Sequence, residues 1–481
     1  MSRRELLDLD ATAQLAALAG KHVSAVEVLK AALDRHERTH AKLNAVVAAD
    51  LDWALDRAKA IDEQRIKGEQ LGPLAGLAMT VKDTLDVVHM PASSGLEANR
   101  RRRAEDAVVV GHARRAGAVI WGKTNVPVLA GDWQTYNRLY GTTNNPWDLA
   151  RTPGGSSGGA AAALAALVTP LEIGSDIGGS LRVPASFCGI FSHKPTWGMV
   201  TQHGHVPPKP NSWVERDLNV VGPMARSARD LRLLLSVLVN GPLAAKAPAA
   251  NLAESRIALW LDAPGFPLDP MVRTVIEGFA GALAAAGATV EPIASPVDAR
   301  ALLEAYVVLL NAVTGEDLPP SQVGAYELMR GPAKLAAARD ADPLSLAHLA
   351  LGYTARHREW LAADAVRGQL RHEMSELFNR FDVILTPAAP VAAFPHDRRP
   401  FISRKLQSSD GQSFAYLSML SWIALASACL LPATTVPAGQ TADGLPVGVQ
   451  LIGPHGGDGR TLAVAQAIDE DVHGFAVPPE W

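Results

Sequence analysis

Apolar and polar positions alternate along this chain with two periods, and the switches between them outline an α/β protein. Ser24 followed by Glu27 has the spacing of a capping box and opens an amphipathic helix running to about His40. Asn44–Ala49 reads as a short strand, and Asp50 caps a second helix to about Lys67. Leu77–Val81 is a short apolar run of strand type that delivers Lys82 and Asp83 to its C-terminal end. Ala104–Ala116 follows as a helix and Ala118–Trp121 as a buried strand. Further on, Ala160–Val168 is helical and Leu171–Gly174 strand-like, Ser227 caps Ala228–Val239, and Arg256–Leu261 begins another strand–helix–strand unit. Residues 297–380 are mostly helical, with polar breaks near Gly315–Pro320 and Arg339–Pro343. Strands at Val383–Thr386, Ala433–Val436 and Val447–Ile452 and a helix at Arg460–Ile468 complete the pattern. Strands and helices alternating throughout predict a mixed central β-sheet sandwiched by helices. No Gly/Ser linker interrupts residues 1–481, so a single domain is expected, with 240–345 a variable, mostly helical region shaping a cleft.

The periodicity fails from Gly131 to Gly159, which is rich in Gly, Pro, Asn and Thr. Long aperiodic loops inside compact domains are usually functional. Composition narrows the function. A net charge of −4 gives no electrostatic case for nucleic acid or an anionic membrane. Two cysteines, Cys188 and Cys429, cannot build a disulfide framework and suit a reducing compartment. The first residues carry no apolar signal region, and the longest apolar runs, Ala160–Val168 and Trp422–Leu431, are about half a membrane span. A cytoplasmic protein is expected, as monomer or homodimer, with no cofactor and no metal.

The chemistry concentrates in two serine clusters 24 residues apart, Gly154-Gly-Ser156-Ser157-Gly-Gly159 and Ser175-Asp176-Ile-Gly-Gly-Ser180-Leu-Arg182. Each places serine hydroxyls in backbone with few side chains, where N–H groups can reach a bound atom. Several motifs also match by spelling. Gly117–Thr124 fits a phosphate-loop expression, but a buried strand, Ala-Val-Ile-Trp, fills the interval that must wrap phosphate. His36-Glu37-Arg38-Thr39-His40 fits a zinc-protease expression at the charged end of a helix with no third ligand in view, and reads as a solvated helix terminus. His203-x-His205 reads as surface or pocket wall. Gly154-x-Ser156-x-Gly158 fits a nucleophile elbow, with Asp382 and His455 in the right chain order, although loop rather than strand precedes it. A Ser-His-Asp esterase with Ser156 as nucleophile is therefore the rival mechanism.

A wider set of stretches resembles the amidase signature family of serine hydrolases. They are Thr80-Val-Lys82-Asp83, Gly122-Lys-Thr-Asn125, Asn145-Pro-Trp147, the two serine clusters, Pro184-Ala185, Lys194-Pro-Thr196, Gly222-Pro-Met-Ala-Arg226, Leu385-Thr-Pro387 and Gly444-Leu-Pro-Val-Gly-Val-Gln450. The resemblance spans nearly the whole chain and implies the family's fold and its Ser–cis-Ser–Lys triad. On matching positions Ser180 is the nucleophile, Ser156 the bridging serine and Lys82 the base. The backbone N–H groups of Ile177, Gly178, Gly179 and Ser180 form the implied oxyanion hole, with Ser157, Asp176 and Arg182 supporting. Ala130, Gly131 and Asp132 map to the substrate wall. Trp133–Tyr140, residues 201–218 with Trp213, and the helices of 310–345 are expected to extend it.

A serine hydroxyl attacks only when a base takes its proton, and lysine is a base only when neutral. Burial at the end of an apolar strand disfavours the ammonium form and supplies that neutrality. The sequence departs from the family at Val128, Ser192 and Met199. The stretch typical of the glutaminase subunit of tRNA-dependent amidotransferases is replaced by Gly352-Tyr353-Thr-Ala-Arg-His-Arg358. On that ground the expected protein is a stand-alone amidase for small or aryl amides, with carbamates (urethanes) or esters as further substrates. The alternative is a glutaminase-type amidotransferase subunit that works with a partner.

Overall fold

The computed structural model describes residues 3–207, 212–239, 251–339 and 342–481. Among them, eleven strands form one mixed sheet. Its spatial order is Val46–Ala49, Val119–Thr124, Ala78–Lys82, Leu171–Asp176, Val220–Ala225, Phe191–Lys194, Ala433–Gln440, Pro446–Ile452, Val383–Pro387, Arg256–Leu259, Thr289–Pro292. Parallel pairs flank an antiparallel centre: Ala78–Lys82 lies parallel to both its neighbours, and Arg256–Leu259 does the same near the other edge.

Because successive strand residues face opposite sides, Ala78–Lys82 divides cleanly. Met79 and Val81 join a core with the helices Val108–Arg115 and Ala228–Leu238. Ala78, on the other side, joins Trp121 and the helices Ala25–Leu43 and Leu51–Ile66. Thr80 and Lys82 share the face of Ala78. The alternation thus sends Lys82 inward beneath the helix Gly158–Ala165, whose alanines let it pack closely. A second large core gathers Ala299–Thr314, His357–Leu377 and the turns of 416–431 around Trp260 and Trp422.

The predicted elements recur with shifted ends. Ser24 and Glu27 form both halves of the capping box, and Asp50 accepts from the Trp53 amide. The helix expected from Ala104 starts at Val108, because Asp106 instead accepts from the Val88 amide and pairs with Arg114. Ser227 does not cap its helix through its side chain: its hydroxyl donates to Asp10, and Asp469 takes the Ala228 amide. The polar break at Arg339–Pro343 and the variable region 240–345 fall partly outside the described residues. Among the described residues no helix is long and apolar enough to cross a membrane.

Candidate active site

Lys82 is fully buried, and three oxygens surround its Nζ: Ser156 Oγ at 2.8 Å, Ser175 Oγ at 2.9 Å and the Ser175 carbonyl at 3.3 Å. Burial pulls its ammonium down to about 7, against the opposing pull of Asp176 and Glu172. Ser156 follows a cis Gly155–Ser156 peptide. Neighbouring backbone leaves no room for side chains there: a Cβ on Gly155 would stand 2.4 Å from the Asp132 carbonyl oxygen. Ser156 and Ser180 both open onto one cavity of about 450 Å³. The Ser157 amide donates to the Ser180 carbonyl at 3.2 Å, and the Ser157 hydroxyl lies 3.3 Å from the Ser175 carbonyl. Sheet and helix thus bring together three residues that are remote in sequence.

The turn after Leu171–Asp176 is held from below by Asp176 and Arg182, both buried. Arg182 donates twice to the Asp176 carboxylate, at 2.9 and 3.1 Å, and reaches Gln450, Ser427 and the Ile423 carbonyl. Burial alone would raise the Asp176 carboxyl. The Arg182 charge and hydrogen bonds, with the Leu181 amide, outweigh it and hold the group at about 2. Asp176 also takes the Gly179 amide at 3.0 Å, which corrects one expectation. Gly179 is committed to its own turn, so its amide already has a partner in Asp176. Glycine is still required at 179, where φ is +91° and a Cβ would press on Val183 and Ile423.

Two side chains orient this turn, Trp133 from the stretch expected at the wall and Tyr306, which local pattern does not single out. Tyr306 donates to the Ile177 carbonyl at 3.1 Å and Trp133 Nε1 to the Gly178 carbonyl at 2.8 Å. In a trans peptide the C=O and the following N–H point opposite ways, so Tyr306 on the carbonyl turns the Gly178 amide away from the helix Ala299–Thr314.

Ala130, Gly131 and Asp132 line the cavity, and Leu129 and Ala130 hold positive φ, a costly conformation outside glycine. Asp132 is itself engaged by Arg404 at 2.6 Å and Tyr416 at 2.7 Å. The far wall carries Leu310, Asn311, Thr314, Tyr326 and Tyr353. Of residues 201–218, His205, Pro207 and Arg216 line the cavity, while 208–211 lie outside the described residues. Trp213 does not: it is 81% exposed and stacks on His203 with ring centroids 3.8 Å apart. The sequence suggests only surface or pocket wall for His205, yet its Nε2 lies 2.8 Å from Ser175 Oγ. No local sequence signal marks it, because only the fold brings its loop to Lys82.

The rival motifs dissolve on the same geometry. Gly117–Thr124 runs into the buried strand Val119–Thr124. Glu37, Arg38 and His40 are exposed at the helix end, and the half-buried His36 packs on Trp121 at 5.5 Å. Among the described residues no cluster of three metal-ligating side chains exists. Asp382 is bound to the Arg256 amide and Arg460, and Ser156 meets Lys82 rather than a histidine. Among the described residues nothing connects Ser156 to a His–Asp pair.

A buried lysine–serine pair beside a glycine-rich turn, at the C-terminal end of an interior strand of the mixed sheet, fits an enzyme that acts on carbon–nitrogen bonds other than peptide bonds, the class that the family match shows. The Amidase family model matches residues 27–462, and the chain belongs to the amidase signature family. The A subunit of glutamyl-tRNA(Gln) amidotransferase from Acidothermus cellulolyticus is 33% identical, over 97% of this chain and 94% of that protein. Its counterpart in Symbiobacterium thermophilum is 34% identical over 94% of each. A crystal structure of an amidase superposes with TM-score 0.78 at 26% identity, covering 96% of this chain and 99% of that one.

These relatives overturn the expectation of a stand-alone amidase for small or aryl amides, carbamates or esters. That expectation leans on Gly352–Arg358, whose departure has a local cause. A Cβ on Gly352 would meet Asn311 at 2.8 Å, so the residue permits a close helix contact, and Tyr353 stacks on Tyr326 in the cavity wall. The stretch records helix packing and says nothing about a partner.

Proposed function

We propose that this chain is the amide-hydrolysing, glutaminase-type subunit of an amidotransferase. The observation that carries the reading is the 33–34% identity to amidotransferase A subunits over nearly full length on both sides. In this reading Ser180 Oγ attacks the carbonyl carbon of an amide such as that of glutamine. Its proton passes to Ser156, whose own proton passes to the lone pair of neutral Lys82. The amides of Ile177, Gly178 and Ser180 receive the oxyanion, and one such donor is worth about 10²–10³ in rate. Collapse breaks the C–N bond, and the proton returns through Ser156 to the leaving nitrogen, which departs as ammonia. Water, deprotonated by the same relay, then cleaves the ester on Ser180 and frees the acid.

Ammonia release from glutamine, measured for the chain alone and together with amidotransferase partner subunits, tests the reading. Glutaminase activity is expected to appear, or rise strongly, only with the partners. Full-rate cleavage of p-nitroacetanilide by the isolated chain, with glutamine inert in both settings, would reject it.

A further inference from the structure

Lys82 also ends a hydrogen-bonded chain that the reaction above does not use. His205 Nδ1 lies 2.6 Å from the Pro207 carbonyl oxygen, and Nε2 lies 2.8 Å from Ser175 Oγ. Ser175 Oγ is in turn 2.9 Å from Lys82 Nζ. The loop that presents His205 is pinned to the strand-end turn: the Val206 amide donates to the Thr84 carbonyl at 2.7 Å, and the Ser94 hydroxyl donates to the Val206 carbonyl.

Hydrogen-bond polarity fixes every proton in this chain. A carbonyl oxygen only accepts, so the ring proton of a neutral His205 sits on Nδ1 and Nε2 is an acceptor. Nε2 then takes the single proton of the Ser175 hydroxyl, and Ser175 Oγ can meet Lys82 only as an acceptor. A neutral amine has two N–H donors and one lone pair. Two neighbours of Nζ, Ser175 Oγ and the Ser175 carbonyl, have no proton to give, so they take the two donors. The lone pair is left facing the third, Ser156.

We infer that His205 is a positioning residue which, through Ser175, aims the lone pair of Lys82 at Ser156. The inference rests on the reading of Lys82 as the base. Burial, with the nearby charges of Lys82, Arg216 and Lys123, holds the imidazole down at about 3, so the neutral ring persists around neutral pH. Without His205 the Ser175 hydroxyl is free to turn and donate to the lone pair, in competition with Ser156.

A double-mutant cycle on fluorophosphonate labelling of Ser180 tests this without requiring a partner protein. His205→Phe keeps a ring and removes both nitrogens, and should slow labelling about tenfold, the worth of one oriented hydrogen bond. In a Ser175→Ala background the same change should cost almost nothing, because the residue through which it acts is gone. His205→Gln, whose carbonyl can accept the Ser175 proton, should lose less than His205→Phe. Equal, additive costs in both backgrounds would overturn the positioning role and leave only packing. Nitrogen-15 shifts of the wild-type histidines supply a readout that needs no variant: His205 should carry its proton on Nδ1, and the opposite tautomer or an imidazolium would equally overturn the role. Labelling of Lys82→Met at the wild-type rate would instead remove the base itself, a separate failure of the underlying reading.

Discussion

Lys82 is the residue on which the chemistry turns, and its titration makes a signed prediction. As the proposed base it works only when neutral, and burial brings its proton loss to about 7. Activity per enzyme should therefore rise with pH through about 7 and level off above it, following the neutral fraction. Lys82→Met should lower kcat by about 10²–10⁴ and remove that rise. A profile unchanged in the variant would assign the titration to another group. Arg182 makes a second prediction at this scale, on stability. It compensates the buried Asp176 charge with two hydrogen bonds. Arg182→Leu strands that carboxylate, so urea unfolding should show a loss of about 3–5 kcal/mol. A loss under about 1 kcal/mol would show that the turn does not depend on the pair. The sequence names Lys82, Asp176 and Arg182, because motif spacing and charge identity survive in one dimension. It does not reveal the proton directions around Ser175, because these depend on His205, which lies 123 residues from Lys82.

The elements most legible in the chain are those whose ends are written in local chemistry. The Ser24–Glu27 box and the Asp50 cap form as read. Two central strands, Phe191–Lys194 and Val220–Ala225, are not legible in the same way. Each is buried and carries His193 and Lys194 or Gly222 and Pro223, so neither alternation nor an apolar run betrays it. His193 is accommodated by Thr434 and Asp458, partners supplied only by the fold. The turn proposed to hold the oxyanion is half legible: its glycines are visible, but the Gly179 amide is spent on Asp176. The orienting hydroxyl comes from Tyr306, on a helix 129 residues away from Ile177. Tyr306→Phe removes that hydroxyl and keeps the ring. It should lower kcat several-fold with KM little changed if, as proposed, the amide it orients acts on the transition state. A rise in KM alone would place Tyr306 in ground-state binding.

At the scale of the whole molecule, the fold brings Ser156 and Ser180 to one cavity and sets the buried Lys82 against Ser156. The sheet does this by setting the strands Ala78–Lys82 and Leu171–Asp176 side by side in parallel, with the helix Gly158–Ala165 packed on both. The sequence conveys the α/β architecture and the family, because strand–helix alternation and the serine clusters are local. It does not convey assembly. The central claim is an acyl-enzyme on Ser180, formed with Lys82 as base. The most direct measurement is peptide mapping by mass spectrometry after fluorophosphonate treatment of wild-type protein and Ser180→Ala. One adduct is expected, on Ser180, absent from the variant. An adduct on Ser156, or labelling that persists in Ser180→Ala, would contradict it.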